Sequence, residues 1–455
     1  LSRVLGPDGT GIQSYTNSVV QYFAIAAALG TASYGQREIA MHRDDREALN
    51  RLFWEIELLC AGMTAVCLVF WLGVIGCSKE YAPYYAALSM TLIAVAFDIS
   101  WFFGGLEECG LIVLRNMAVK CVGIVLLFLF IRTKNDLLLY VALTAATGLL
   151  GNISMWGYLK PFVRKPDIRQ LKPLRHLKET LVYFIPTIAT SVYTILDKTM
   201  LGWFTDGDKS QNGYYEYATG FVNMSKILIM SFNAVMSARM SYLFGAGKLD
   251  EVRERLRGSL DFVLLLAIPI TLGLSGIAAG FVPWFLGDAY LPVIPLMYVC
   301  APLVLVVGLS DCLGSQILTP AGLRAQSGRA IVGGAVVNFI LNLILIPKFQ
   351  SYGAAAASVA AECFITLLYL RLGKGFVTLP LLWKYSWRRL IAGVCMFISV
   401  AVLGRTLVKL WGYSPAVTFL QIGAGAVVYG MILLVLRDPF IWKQVERIIK
   451  KQEHV

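Results

Sequence analysis

The sequence predicts an all-α, polytopic membrane protein, and three observations carry that prediction. The 455 residues are 57% hydrophobic and 15% charged, against about 25% charged in an ordinary soluble chain; mean hydropathy is +0.67. Apolar runs recur at lengths that suit a bilayer, since about 20 helical residues at 1.5 Å each cross a roughly 30 Å hydrocarbon core. The connections between the runs alternate between strongly basic and nearly uncharged, which fixes an orientation in a membrane. The net charge of +12 is therefore read as orientation, and nucleic acid is not an expected partner.

In chain order, residues 1–11 read as a turn-rich loop, because Gly6-Pro7-Asp8-Gly9 gathers strong helix breakers. Thirteen candidate spans follow, at roughly 12–34, 52–76, 81–106, 111–131, 137–159, 180–204, 214–243, 258–286, 292–318, 329–346, 352–370, 389–410 and 416–436. The connections at 36–51, 160–178, 248–257, 324–329, 371–389 and 437–451 hold twenty-seven of the 40 Lys and Arg; the alternate connections hold eight. The first set is assigned to the cytoplasm. That places the C-terminus inside and Leu1 outside, so a cytoplasmic start expects one more helix before Leu1, fourteen in all. Two basic pieces, 36–50 and 248–257, read as short amphipathic surface helices or as plain orientation anchors.

The longest connection, 160–179, is basic and contains Pro161, Pro166 and Pro173. It divides the chain into an N-terminal lobe (1–160), a basic cytoplasmic linker (161–179), a C-terminal lobe (180–372) and an extra helix pair with a basic tail (373–455). A two-lobed transporter shows such a break, although no residue-level repeat relates the halves. Cys60, Cys67, Cys121, Cys300, Cys312, Cys363 and Cys395 fall in apolar runs without paired spacing, as small core residues do. His42, His176 and His454 sit in connections or the tail, which argues against a histidine-based catalytic or metal centre. No catalytic residue is assigned, and an enzyme is not expected.

Charges inside the spans point to function. A charge at membrane depth costs at least about 2.5–3.5 kcal/mol, so a helix that carries one faces protein or water. Residues 181–202 can cross a bilayer, yet they carry Asp197 and Lys198 side by side and are interrupted by Pro186. Lys198 also has the reach to snorkel outward. Arg115, Lys120, Lys226 and Arg239 likewise lie in or near spans.

Several strings together resemble bacterial polysaccharide (repeat-unit) flippases. They are Ser2-Arg-Val-Leu-Gly-Pro-Asp-Gly9, Tyr34-Gly-Gln-Arg-Glu-Ile-Ala40 with Arg43-Asp-Asp45, Asp98-Ile-Ser-Trp-Phe-Phe-Gly104 and Gly151-Asn152. Asp197-Lys-Thr-Met-Leu-Gly202, Gly213-Tyr-Tyr-Glu216, Arg239-Met-Ser241 and Asn338-Phe-Ile-Leu-Asn342-Leu-Ile-Leu-Ile-Pro347 extend the likeness to about Arg371. The chain departs from the family at Ala238, where proline usually precedes the arginine, and after Glu216, where the basic residue is delayed to Lys226.

The resemblance implies membership of the multidrug, oligosaccharidyl-lipid and polysaccharide exporter superfamily, with two helical-bundle lobes around a central cavity. It implies an undecaprenyl-diphosphate-linked oligosaccharide as cargo, moved across the cytoplasmic membrane of a bacterium. Polysaccharide polymerase and glycosyltransferases are the implied partners beside membrane lipids. Such a cargo needs a wet, cationic cavity, because its head cannot be desolvated without partners. Lys226 and Arg239 are thirteen residues apart and return to within about 60° of one helix face; Arg239 reads equally as a cytoplasmic anchor. Asp98 and Arg115 lie symmetrically about a hairpin near residues 106–107, either as substrate contacts or as a structural ion pair. Asp197, Asn338 and Asn342, followed by Ser358, resemble the sodium site of related lipid II flippases, so sodium or proton coupling is expected without a further cofactor. Packing glue between helices is the competing reading of the asparagines. A cation-coupled multidrug antiporter is the second functional reading, and its cavity would favour acidic residues.

Overall fold

The computed structural model describes residues 1–165, 171–205 and 207–442, with 109, 185–187 and 189–193 given by backbone alone. Helices account for all the regular structure among these residues. Two compact units emerge: Leu1–Trp203 with Gly207–Gly213, and Phe204–Asp206 with Tyr214–Val455.

The first unit contains α1 (Ser2–Ala28), α2 (Thr31–Met41), α3 (Arg46–Cys77), α4 (Ala82–Ala96), α5 (Ser100–Gly105), α6 (Cys109–Phe130), α7 (Leu137–Met155) and α8 (Leu177–Phe204). The expected loop at 1–11 is helical instead: α1 begins at Ser2 and absorbs the breakers in one kink, where Gly6 takes φ 69° and ψ 176°. Glycine meets such a backbone without steric cost. α1 and α2 are separate because Leu29 (φ 45°) and Gly30 (φ 73°) both turn left-handed. Gly30 is needed twice over, since a Cβ there would lie 2.8 Å from the backbone nitrogen of Phe184 in α8. Residues 36–50, read chiefly as an orientation anchor and otherwise as a surface helix, form no single separate helix. α2 ends at Met41, and Asp45 caps a new helix by accepting bonds from the backbone N–H of Glu47 and Ala48.

The second unit contains α9 (Ser210–Gly245), α10 (Leu249–Phe285), α11 (Val293–Cys300), α12 (Pro302–Leu313), α13 (Arg324–Leu372), α14 (Leu379–Trp411) and α15 (Pro415–Val435). Residues 248–257 form no separate surface helix; they are the start of α10. α12 runs on into a π-helical turn at Gly314–Leu318. α13 reverses at Gln350 (φ 50°, ψ −128°). A Cβ on Gly353 would meet the carbonyl oxygen of Leu345 at 2.4 Å, so the two arms, expected as separate spans at 329–346 and 352–370, fold back almost without a loop.

Ten helices among the described residues are long and apolar enough to cross a membrane. One of them is the reversed α13. The core of the first unit has two clusters. One gathers Tyr15, Trp71, Tyr85 and Leu92; the other gathers Phe53, Trp101, Phe102 and Phe103. Of the cysteines expected inside, Cys60, Cys67, Cys300 and Cys312 are buried, whereas Cys121 is exposed on α6.

The basic connection is no bare tether where it is described. The backbone N–H of Arg164 bonds Asn50, and the Trp54 indole bonds the Arg164 carbonyl, so the strand of chain lies against α3. Further along, Glu55 of α3 is fully buried. It accepts bonds from the backbone of Lys172 (3.0 Å), from Nε2 of His176 (2.8 Å) and from Arg175 (2.5 Å). Tyr34 of α2 completes the chain at 2.6 Å from Nδ1 of His176. Burial pushes its phenol up to about 12, and the Nε–H of Arg175 also points at Nε2 of His176, at 3.1 Å. Residues 166–170 and the tail from 443 lie outside the described residues.

Candidate functional site

The first unit holds a polar cavity of about 430 Å³. α1 supplies Gln21, α2 Thr31, α3 Cys60, α4 Thr91, the α4–α5 junction Asp98 and Trp101, α6 Arg115, Asn116 and Lys120, and α7 Asn152. Local sequence explains how each arrives. α4 stops at Ala96, and Asp98, just before α5, accepts from the backbone N–H of Ser100 at 3.0 Å. Trp101 reaches the cavity because Gly35 of α2 leaves space for its ring, where a Cβ would stand 2.4 Å away. Gly105 lies against the Gln36 carbonyl and Ile39 in the same way. The two strings 34–40 and 98–104 are thus one packed joint.

Arg115 and Asn152 form the polar wall. Arg115 donates to Oδ1 of Asn152 at 2.7 Å, and the Asn152 amide donates to the Ala94 carbonyl at 2.7 Å, which orients it. Nε of Arg115 is buried with no hydrogen-bond partner. The structure therefore brings Asp98 and Arg115 to one cavity but does not join them. Among the described residues neither makes an ion pair: Asp98 accepts from the backbone N–H of Ser100 and Arg115 turns to Asn152. Lys120, unassigned in the sequence, joins them on the cavity wall.

The other expected substrate cations lie in the second unit, and the two have different surroundings. Lys226 of α9 is half-buried within Coulombic reach of Glu362 on α13. Arg239 is exposed and stands 5.2 Å from the Tyr242 ring centroid.

The expected coupling residues are all buried. Asp197 belongs to the first unit, on α8 near Tyr22. Two residues on, Thr199 bonds Ser18 (2.9 Å) and the Tyr22 hydroxyl (3.2 Å). The side chain of Pro186 lies outside the described residues, while the backbone of α8 runs through it as helix. Asn338, Asn342 and Ser358 belong to α13. The Asn342 amide donates to Oδ1 of Asn338 at 3.1 Å, and Ser358 shares a 3.1 Å hydrogen bond with Tyr215. In this arrangement one amide oxygen faces a donor and not a cation. Among the described residues no three His, Cys, Asp or Glu side chains group as metal ligands.

Sequence reasoning missed two polar centres. One is the Tyr34–His176–Glu55–Arg175 chain, whose histidine was read as a solvated linker residue. The other is Arg389 of α14, counted only as a basic anchor. It is fully buried and bonds the Asp261 carboxylate (2.5 Å), the Asp261 carbonyl (2.5 Å) and both oxygens of Asp438 (3.1 and 3.2 Å).

The first unit thus combines membrane-length helices with a cavity whose lining includes Arg115 and Lys120. The chain belongs to the Polysaccharide biosynthesis protein family, which it matches over residues 1–242. It is 22% identical over 384 residues to the Escherichia coli (strain K12) protein named "Putative O-antigen transporter", covering 81% of this chain and 90% of that one. It is 29% identical over 252 residues to "Probable flippase AglR" of Haloferax volcanii, covering 54% and 51%. Among solved structures it is similar to the lipid II flippase MurJ in an inward closed conformation. There the TM-score is 0.68 at 14% identity, over 95% of this chain and 94% of that one. An inward-facing multidrug MATE transporter gives a TM-score of 0.69 at 14% identity, over 82% and 91%. The protein is therefore a member of that family with the fold shared by these solved transporters.

Proposed function

We propose that the chain moves undecaprenyl-diphosphate-linked oligosaccharide repeat units from the cytoplasmic to the outer leaflet of a bacterial cytoplasmic membrane. It does so by alternating access, for capsule, exopolysaccharide or O-antigen synthesis, with its C-terminus in the cytoplasm. One observation carries the reading: Arg115 and Lys120 face a polar cavity without carboxylate ion partners among the described residues. A guanidinium suits a diphosphate by its fork geometry, and an ammonium suits it as a point charge. Trp101, Asn116, Asn152 and Gln21 offer a ring face and amides to sugar hydroxyls. The same cations disfavour a cationic drug, which weakens the antiporter reading. Coupling to a sodium or proton gradient through Asp197, Asn338, Asn342 and Ser358 belongs to this proposal. So do head-group contacts by Lys226 and Arg239, and cooperation with a polymerase and glycosyltransferases.

The test is flipping of a defined lipid-linked oligosaccharide in proteoliposomes. Arg115→Gln with Lys120→Gln should lower the rate at least about tenfold, the equivalent of one lost charge-assisted bond, at unchanged amounts of folded protein. Lys226→Ala should lower the rate less than the double glutamine variant does, and Lys226→Arg less again. Wild-type rates in the double glutamine variant would remove the cavity from the mechanism.

A further inference from the structure

A second cavity of about 520 Å³ lies in the first unit between α6 and α7, and its lining is mainly apolar, with Thr147, Ser154 and Tyr158 as polar side chains beside Arg115. Leu114, Ala118, Val122 and Leu126 of α6 line it together with Leu150 of α7 and Tyr158 just beyond that helix. Arg115 and Val119 line this groove and the polar cavity alike. The wall between the two is thin, since Gly151 packs so closely on Val119 that a Cβ would stand 2.7 Å from it. α6 buries none of its most apolar window inside the protein, so the groove is open to the surrounding lipid.

We infer that this groove holds the head-proximal part of the polyprenyl tail while Arg115 holds the diphosphate and the sugar occupies the polar cavity. The inference rests on the flippase reading and adds where the tail lies. Order and depth both support it. From the cavity through Arg115 to the groove, the lining passes from amides and a ring face, through a cation, to hydrocarbon, matching sugar, diphosphate and isoprenoid in sequence. The groove runs from Leu111 to Leu126, roughly 22 Å at 1.5 Å per residue. Arg115 lies near the start of α6, the end that the charge pattern assigns to the cytoplasm. A carrier lipid in the cytoplasmic leaflet would there have its diphosphate near the interface and its tail directed toward the bilayer centre. The partnerless Nε of Arg115 leaves a donor for a phosphate oxygen.

The experiment measures binding of two probes to the purified full chain: undecaprenyl diphosphate, which has the tail, and inorganic pyrophosphate, which lacks it. Ala118→Trp fills the groove at an exposed position. It should weaken undecaprenyl diphosphate about tenfold, the loss of roughly two buried methylenes, and leave pyrophosphate unchanged. Val122→Trp, also exposed, should repeat the result and guards against a local folding defect. Equal binding of undecaprenyl diphosphate to wild type and both variants overturns the groove and leaves the flippase reading intact. Competition by phosphatidylglycerol as strong as by undecaprenyl diphosphate also overturns it, because the groove would then be a general lipid site. If the wild type binds neither probe, the flippase reading falls and the groove with it.

Discussion

Arg389→Leu should destabilise the second unit by about 3–5 kcal/mol, the cost of removing one partner from a buried ion pair. The structure supports the upper part of that range. The guanidinium is fully buried, and the carboxylates of Asp261 and Asp438 are 15% and 2% exposed. Three of the four hydrogen bonds it makes go to carboxylate oxygens, and bonds to charged groups contribute about 1.5–3 kcal/mol each. Removing the cation leaves two acids, on α10 and just beyond α15, that share one site and must protonate or admit water. The single loss should therefore exceed what the leucine itself takes away. The triple variant Arg389→Leu, Asp261→Asn, Asp438→Asn removes the uncompensated charges and should recover most of the stability, since well-packed neutral groups often match a buried pair. Reversible denaturant unfolding of purified protein in detergent gives both numbers, and their difference is the coupling. A loss below about 1 kcal/mol for Arg389→Leu, the value of an exposed pair, would refute the clamp. So would a triple variant weaker than the single one.

Two further outcomes follow from geometry. Gly213→Ala should cost about 1–3 kcal/mol by overpacking, because its Cβ would stand 2.2 Å from the Pro7 carbonyl oxygen; thermal unfolding measures it, and an unchanged midpoint would contradict the close approach of Pro7 and Gly213, both in the first unit. Asn342→Asp adds a carboxylate beside Asn338; if these residues serve a cation, sodium should raise its thermal stability where potassium does not, by about 2.7 kcal/mol at 100 times the dissociation constant, and a destabilised variant indifferent to sodium would leave the asparagines as packing groups.

The helices were legible because hydrophobic runs of bilayer length need no tertiary information, and most spans appear near their expected bounds. What the sequence hid were contacts between distant segments. Gly6-Pro7 reads as a loop when only local turn chemistry is weighed, yet helix α1 continues through a single left-handed glycine. Asp98 was singled out for a partner at similar depth on the next helix, whereas its hydrogen bond comes from the backbone N–H of Ser100, two residues on. The strings 34–40 and 98–104 were visible as motifs, while their joint purpose, a glycine fitted to the Trp101 ring, needs three-dimensional proximity. His176 lies in a basic, proline-containing connection that does not announce burial, and its setting depends on Tyr34 and Glu55, more than a hundred residues earlier.

The partners of each intramembrane charge separate cations that build the protein from cations available to a ligand. Arg389 has two carboxylates and is sealed from solvent, so any anion that approached it would have to displace Asp261 or Asp438. Lys226 already feels Glu362, which lowers the net field it can offer to a diphosphate. Arg115 differs from both. Its one described hydrogen-bond acceptor is a neutral amide, its Nε has no partner, and Asp98 in the same cavity accepts from the backbone N–H of Ser100. Lys120 adds a second cation without an ion pair among the described residues. A charge without an ion partner in a spanning helix is costly, and more so toward the bilayer centre. On the proposed reading an anionic cargo in the first-unit cavity relieves that deficit, and head-group binding should depend on Arg115 ahead of Lys226.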